Sequence, residues 1–192
     1  MSVSLAKGQR VSLAKPGGGT LTHVRMGLGW DAVMKKGLFG GKKSQSIDLD
    51  ASAVLYAADG SVVDQVWFSQ LKSKDGSVLH SGDNLTGDGE GDDESITVHL
   101  DRVPAAVTQL VFIVNSFTGQ NFSQIENAFC RLVDETTGQE IARYELTGSG
   151  THTAQVMAKV SRDGSGWSMT AIGQIASGRT FKDLLPALQG VL

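Results

Sequence analysis

The sequence predicts an all-β fold, a two-sheet antiparallel β-sandwich of about ten strands with a short C-terminal helix. Three features carry that expectation. Short segments alternate apolar and polar side chains with the period of two that half-buried strands require. Turn signals such as Ala58-Asp-Gly60, Lys74-Asp-Gly76 and Asp163-Gly-Ser-Gly166 bound those segments. No helical periodicity lies between them to supply the crossovers of a parallel sheet.

The elements follow in chain order. Val24, Met26, Leu28 and Trp30 alternate with His23, Arg25, Gly27 and Gly29, which makes a strand with one apolar face. Ile47, Leu49, Ala51, Ala53 and Leu55 alternate with Asp48, Asp50, Ser52, Val54 and Tyr56, so two carboxylates stand side by side on the face opposite the apolar row. Further strands are expected over 61–69, 95–100, 108–115, 128–133, 140–146, 154–161 and 167–175. Between the first two strands, Lys-Lys-Gly-Leu-Phe-Gly-Gly-Lys-Lys at 35–43 reads as a basic, solvated hairpin loop. At the C-terminus Phe181, Leu184, Leu185 and Leu188 keep helical spacing, with Pro186 limiting the element to a turn or two; it is expected to cover one end of the core. No repeat or linker divides the chain, so 1–192 is read as one domain.

Composition narrows the function. The 192 residues are 40% hydrophobic, enough for a real core, and no apolar run approaches the length of a membrane span. The first ten residues lack a basic start followed by an apolar stretch, so no secretory leader is expected and the cytoplasm is the expected compartment. With one cysteine, Cys130, there is no intrachain disulfide and no thiolate metal site; it reads as a small buried hydrophobe. Net charge is −3, which with few aromatics argues against a nucleic-acid surface. The charge is unevenly placed. Segment 83–94 holds six carboxylates (Asp83, Asp88, Glu90, Asp92, Asp93, Glu94) and no cation, leaving 17 basic against 14 acidic residues, a net +3, elsewhere.

Six carboxylates in twelve residues repel one another, and Gly87, Gly89 and Gly91 between them let the backbone turn tightly. A hard cation relieves that conflict, and the oxygen-only donor set suits Ca²⁺. The spacing is neither an EF-hand nor a repeated β-helix motif. Composition alone leaves a solvated acidic loop equally open. The Asp48/Asp50 pair, with Asp31 at the end of the preceding strand, adds carboxylates on structured elements that could converge on the loop.

The blocks Leu28-Gly-Trp-Asp31, Ile47-Asp-Leu-Asp-Ala-Ser52, His80-Ser-Gly-Asp-Asn-Leu-Thr-Gly87, Gly91-Asp-Asp-Glu94, Gln120-Asn-Phe122 and Asn127-Ala-Phe129 resemble, in order and over nearly the whole chain, the TerD family of bacterial tellurium-resistance and stress proteins. The basic insertion at 35–43 is most similar to the TerZ branch. The resemblance implies a non-enzymatic β-sandwich that binds two calcium ions. The ligand candidates it implies are Asp31, Asp48, Asp50, Asp83, Asn84, Thr86, Gly87, Gly89, Asp92, Asp93 and Glu94, with Thr86 and the glycines acting through backbone carbonyls. It also implies partners among other proteins of the tellurium-resistance system, including a membrane component, and so a peripheral association with the inner face of the membrane.

Other chemistries find less support. No Gly-x-Ser-x-Gly elbow is present, and His23, His80, His99 and His152 stand singly; His80, beside the acidic block, could orient a carboxylate. Gly-Gly-Lys-Lys-Ser at 40–44 lacks the first glycine of a phosphate loop. A second reading is kept open: a metal-dependent hydrolase or phosphotransferase acting on a small phosphorylated ligand, which requires an open coordination position and a nearby base.

Overall fold

The computed structural model describes the chain apart from residues 1, 2, 16, 17, 32, 37–41, 46, 86–90, 147–149 and 165, with backbone alone at 3, 33–36 and 42–45. Two six-stranded sheets face each other. The first runs in the order β1 (Val3–Ser4), β12 (Gln139–Glu145), β11 (Glu126–Asp134), β3 (His23–Asp31), β9 (Glu94–His99) and β8 (Val78–His80). The second runs β2 (Arg10–Ser12), β14 (Gly166–Ala176), β13 (Ala154–Asp163), β10 (Gln109–Ser116), β6 (Leu49–Tyr56) and β7 (Val62–Val66). Pairing is antiparallel throughout except for β1, which lies parallel to β12. The sandwich is therefore as expected, with more and shorter strands: β1, β2 and β8 span two or three residues each. The described ends of the 35–43 segment fall in a separate ribbon of β4 (Val33–Lys36) against β5 (Lys42–Gln45), with Lys35 opposite Lys43 and Lys36 opposite Lys42, while 37–41 lie outside the described residues.

Alternation explains the core. On β3 the residues Val24, Met26, Leu28 and Trp30 are at most 2% exposed and meet Leu55, Leu110, Phe112 and Met169 of the other sheet in one apolar cluster. Cys130 belongs to that cluster and is wholly enclosed; burial pushes its thiol up to about 12. No helix of the described residues is long and apolar enough to cross a membrane.

The helix α1 (Phe181–Gln189) is not a plug for one end of the core. It lies on the outer face of the second sheet, where Phe181, Leu184 and Leu188 pack on Val54, Tyr56, Val111, Ile113, Ala154 and Val156. The reason is that β6 and β10 carry apolar side chains on both faces, and the outward set needs its own cover. Asp183 caps the helix start by accepting from the backbone N–H groups of Arg179 (2.9 Å) and Thr180 (3.1 Å). All eight residues of β6 are consequently buried, Asp50 among them. Replacing Leu184, 1% exposed, with Ala should cost about 2–5 kcal/mol of stability by urea unfolding, whereas a solvent-covered helix would tolerate it.

Candidate metal centre

The outer row of β6 that begins under α1 with Tyr56 and Val54 runs on through Ser52 and Asp50 to Asp48, beyond the helix. The segment after β8 brings Asp83 to the same place. One carboxylate oxygen from each of Asp48, Asp50 and Asp83 lies within 4.8 Å of the others. Asp50 is 2% and Asp48 9% exposed, while Asp83 opens to solvent. Like charges at that spacing repel by roughly 3–4 kcal/mol per pair at an effective dielectric near 20.

The protonation equilibria record that conflict. Asp50 is pushed up to about 8, first by burial and then by the charges of Glu94, Asp48 and Asp83; the Asn115 amide, donating to Asp50 Oδ2 at 3.2 Å, pulls it the other way. Asp48 is raised by burial and by Asp83 and Glu94. Two acceptors are left buried without a hydrogen-bond partner, Asp48 Oδ1 and Asn115 Oδ1. Asn115, fully buried, spends its Nδ2 on Asp50 and on the Arg179 carbonyl at the approach to α1, which orients its amide.

Glu94, at the start of β9 and also fully buried, braces the centre. Its Oε2 accepts from the Ala51 N–H at 2.7 Å and its Oε1 from the Asn84 N–H at 3.0 Å. His80 serves the other side of Ala51: Nε2 donates to the Ala51 carbonyl at 3.1 Å, and Nδ1 accepts from the Gly82 N–H at 3.0 Å. Those partners define the neutral Nε2–H tautomer and leave neither ring nitrogen available as a ligand.

The remaining expected ligands take other positions. Asp93 Oδ2 accepts from the Trp30 N–H at 2.9 Å and Oδ1 from Asn84 Nδ2 at 3.2 Å; burial raises this carboxyl, with the Trp30 bond opposing. Asp31 is exposed and accepts from Asn127 Nδ2 at 2.5 Å. Asn127 reaches it from a left-handed backbone (φ +50°) where the β11–β3 register slips by a bulge. Asp92 points away from the cluster, onto the outer face of the first sheet between Arg25 and Arg131. Thr86, Gly87 and Gly89, with the flanking Asp88 and Glu90, lie outside the described residues. The centre thus presents oxygen donors alone, crowded and partly unpartnered, which fits a hard divalent cation and suits neither a thiophilic nor an imidazole-seeking metal.

The TerD domain model matches residues 1–186. The chain belongs to the TerD family. This TerD-family chain is 52% identical to the tellurium resistance protein TerZ of Serratia marcescens over 95% of its own length and 94% of that protein's. It is 40% identical to the stress response protein SCP2 of Bacillus subtilis, covering 96% and 98% of the two chains. The crystal structure of a homologue of telluride resistance protein (TerD) from Streptomyces coelicolor shares the fold, with a TM-score of 0.71 over 86% of this chain and 95% of that one at 23% identity.

Several residues that shape the centre of this TerD-family protein escape a reading by residue type. Arg25 and Arg131 sit far from the acidic block in sequence. The signal for them is the pair Gly27 and Gly29 on the outward row of β3, since glycine inside a strand marks close approach by another segment. Asn115, by contrast, is recognisable by type as a possible amide-oxygen donor near the end of β10, but its hydrogen bonds to Asp50 and the Arg179 carbonyl are not.

In metal-free protein the raised Asp50 sets a sign for pH dependence. Its folded value lies above that of an unfolded carboxyl, so its contribution to stability is full below about pH 4 and is lost as pH rises toward 8. Asp50→Asn should flatten that decline and, at pH 8 without metal, exceed the wild type by roughly 1–3 kcal/mol in urea unfolding. Parallel pH profiles for the two proteins would refute the assignment.

Proposed function

We propose that this protein is a non-enzymatic Ca²⁺-binding stress protein of the tellurite-resistance type, acting as one calcium-binding domain over 1–192. The observation that carries the reading is the convergence of Asp48, Asp50 and Asp83, with two of the three nearly enclosed and Asp48 Oδ1 unpartnered. Such a cluster is unfavourable as it stands and becomes favourable on cation binding. Bound calcium would supply positive charge and oxygen coordination there, drawing Asp50 into its ionised form. The family resemblance implies a second ion as well; of the ligand set it implies, Asn84, Asp92, Asp93, Glu94, Asp31 and loop oxygens of Thr86, Gly87 and Gly89 stand outside the Asp48–Asp50–Asp83 cluster, with Asp92 already held by two arginines.

The expected consequence is ordering of the loop that begins at Asp83, which would make the end of the sandwich a calcium-dependent docking surface. The names of the relatives, tellurium resistance and stress response, support a place in that response. Partners are accordingly proposed among proteins of the same system, in the cytoplasm or at the inner face of the membrane. The enclosed Cys130 thiol is poorly placed for direct reduction of an oxyanion, so the resistance role is read as one of sensing or assembly.

Calorimetric titration with Ca²⁺ and Mg²⁺ tests this. Calcium at a hundredfold excess over Kd should raise Tm by about 5–10 °C, and Asp50→Asn and Asp83→Asn should each abolish most of the gain. Below pH 8 the affinity should climb with pH as the Asp50 proton is displaced. Indifference to both ions would refute calcium binding. A Mg²⁺ preference accompanied by phosphoester turnover would replace it with the hydrolase reading.

A further inference from the structure

We infer that Asp92 is a positioning residue and not a calcium ligand: Arg25 and Arg131 clamp its carboxylate onto Gly27, and the clamp holds the stem on which the metal centre is built. The inference rests on the calcium reading above and adds to it how the site is kept in shape.

Both oxygens of Asp92 are committed to cations. Arg25 Nη1 contacts Oδ2, and Arg131 Nε donates to Oδ1 at 2.7 Å, with the Asp92 side chain 5% exposed. Each guanidinium is itself held by a second carboxylate, Arg25 Nε by Glu135 at 2.6 Å and Arg131 Nη1 by Glu140 at 3.4 Å. A metal seeking Asp92 would have to displace two guanidiniums and approach their charge. The floor beneath is glycine for a steric reason. A Cβ at Gly27 would collide with the Asp92 carboxyl group, and one at Gly29 with the Gly91 carbonyl and the Phe129 ring. The chain is thus shaped to let residues 91 and 92 lie flat on the outer face of β3.

The effect reaches the metal cluster through a short series of bonds. Next to the clamp, the Asp93 N–H donates to the Leu28 carbonyl at 2.9 Å and its carboxylate takes the Trp30 N–H. Asp93 and Glu94 then hold Asn84 from two sides, through its amide group and its backbone N–H. Asn84 adjoins Asp83, the exposed member of the Asp48–Asp50–Asp83 cluster. Loosening Asp92 should therefore loosen the loop that presents Asp83, without removing a donor.

The test uses the full chain with Asp92→Asn and with the charge-conserving pair Arg25→Lys and Arg131→Lys, whose point charges cannot bridge two carboxylates as the planar forks do. In metal-free protein, both variants should exchange the Asp93 and Trp30 amide protons about tenfold faster, while amides of β10 keep wild-type rates. In calcium titrations, both should lose about tenfold in affinity with the number of bound ions unchanged. Loss of an ion in Asp92→Asn would show that Asp92 is a ligand and overturn the inference. Wild-type exchange rates, or unchanged calcium affinity despite faster exchange, would overturn it equally. A wild type that takes up no calcium would sink the metal reading, and the exchange rates alone would then decide the clamp.

Discussion

Keeping one carboxylate, Asp50, on a strand that is buried on both faces and a second, Asp48, just before it is the constraint around which this molecule is arranged. β6 lies inside the second sheet, with the main core on one side and α1 on the other. Its outward row is apolar where the helix covers it and acidic where the helix ends. Asp50 and Asp48 therefore sit at the margin of an apolar layer, close to Glu94 and Asp83, and burial outweighs every stabilising contact they make. An uncharged row would have closed the sandwich more simply. Keeping the charges leaves Asp50 raised by burial and by its acidic neighbours, and Asp48 Oδ1 without a hydrogen-bond partner.

The same end of the sheet carries a backbone vacancy that side chains fill. β7 pairs with β6 only as far as Ala53, so Ala51, the next residue facing that edge, has no strand to bond. Glu94 accepts from its N–H and His80 Nε2 donates to its carbonyl, both from the opposite sheet. Two side chains thus stand in for a strand, satisfying a buried edge and pinning the sheets together beside the carboxylates. His80 does this as a neutral donor, which explains why a histidine next to an acidic block need be neither a ligand nor a base.

The sequence made the sandwich legible because β9 buries one face, and the large apolar side chains of β3 and the enclosed Ala128, Cys130 and Leu132 of β11 fall on alternate positions, so a period of two survives in their residues. It misplaced the helix because spacing shows that Phe181, Leu184 and Leu188 need an apolar surface without showing which. The clue was the run Leu110 to Val114, apolar on both faces, which a half-buried strand does not need. Strands of two or three residues such as β1 and β8 are too short for periodicity to register. For the centre, residue type nominated Asp48, Asp50 and Asp83, but their convergence depends on how the end of one sheet meets the edge of the other. Pairing across 40 or more positions, such as Ala51 with Glu94, leaves no local trace.

The triplet Asp92-Asp93-Glu94 shows why counting carboxylates misleads. Three consecutive acids read as three ligands, yet an extended chain sends neighbours to different sides. Asp92 turns out to the guanidiniums over Gly27, Asp93 turns to the β3 backbone at Trp30, and Glu94 turns in to Ala51 on the other sheet. The segment ties the outer face of one sheet, the end of its central strand and the edge of its partner at a single point. Within the triplet the arginines answer the charge of Asp92, while burial and its acidic neighbours still raise Asp93 against the opposing Trp30 N–H. At Asp48, Asp50 and Asp83 no cation answers the charge among the described residues. Among the described carboxylates of the acidic segment, Asp92 is therefore spent on the arginines of the first sheet, while Asp83 joins the cluster that no cation answers.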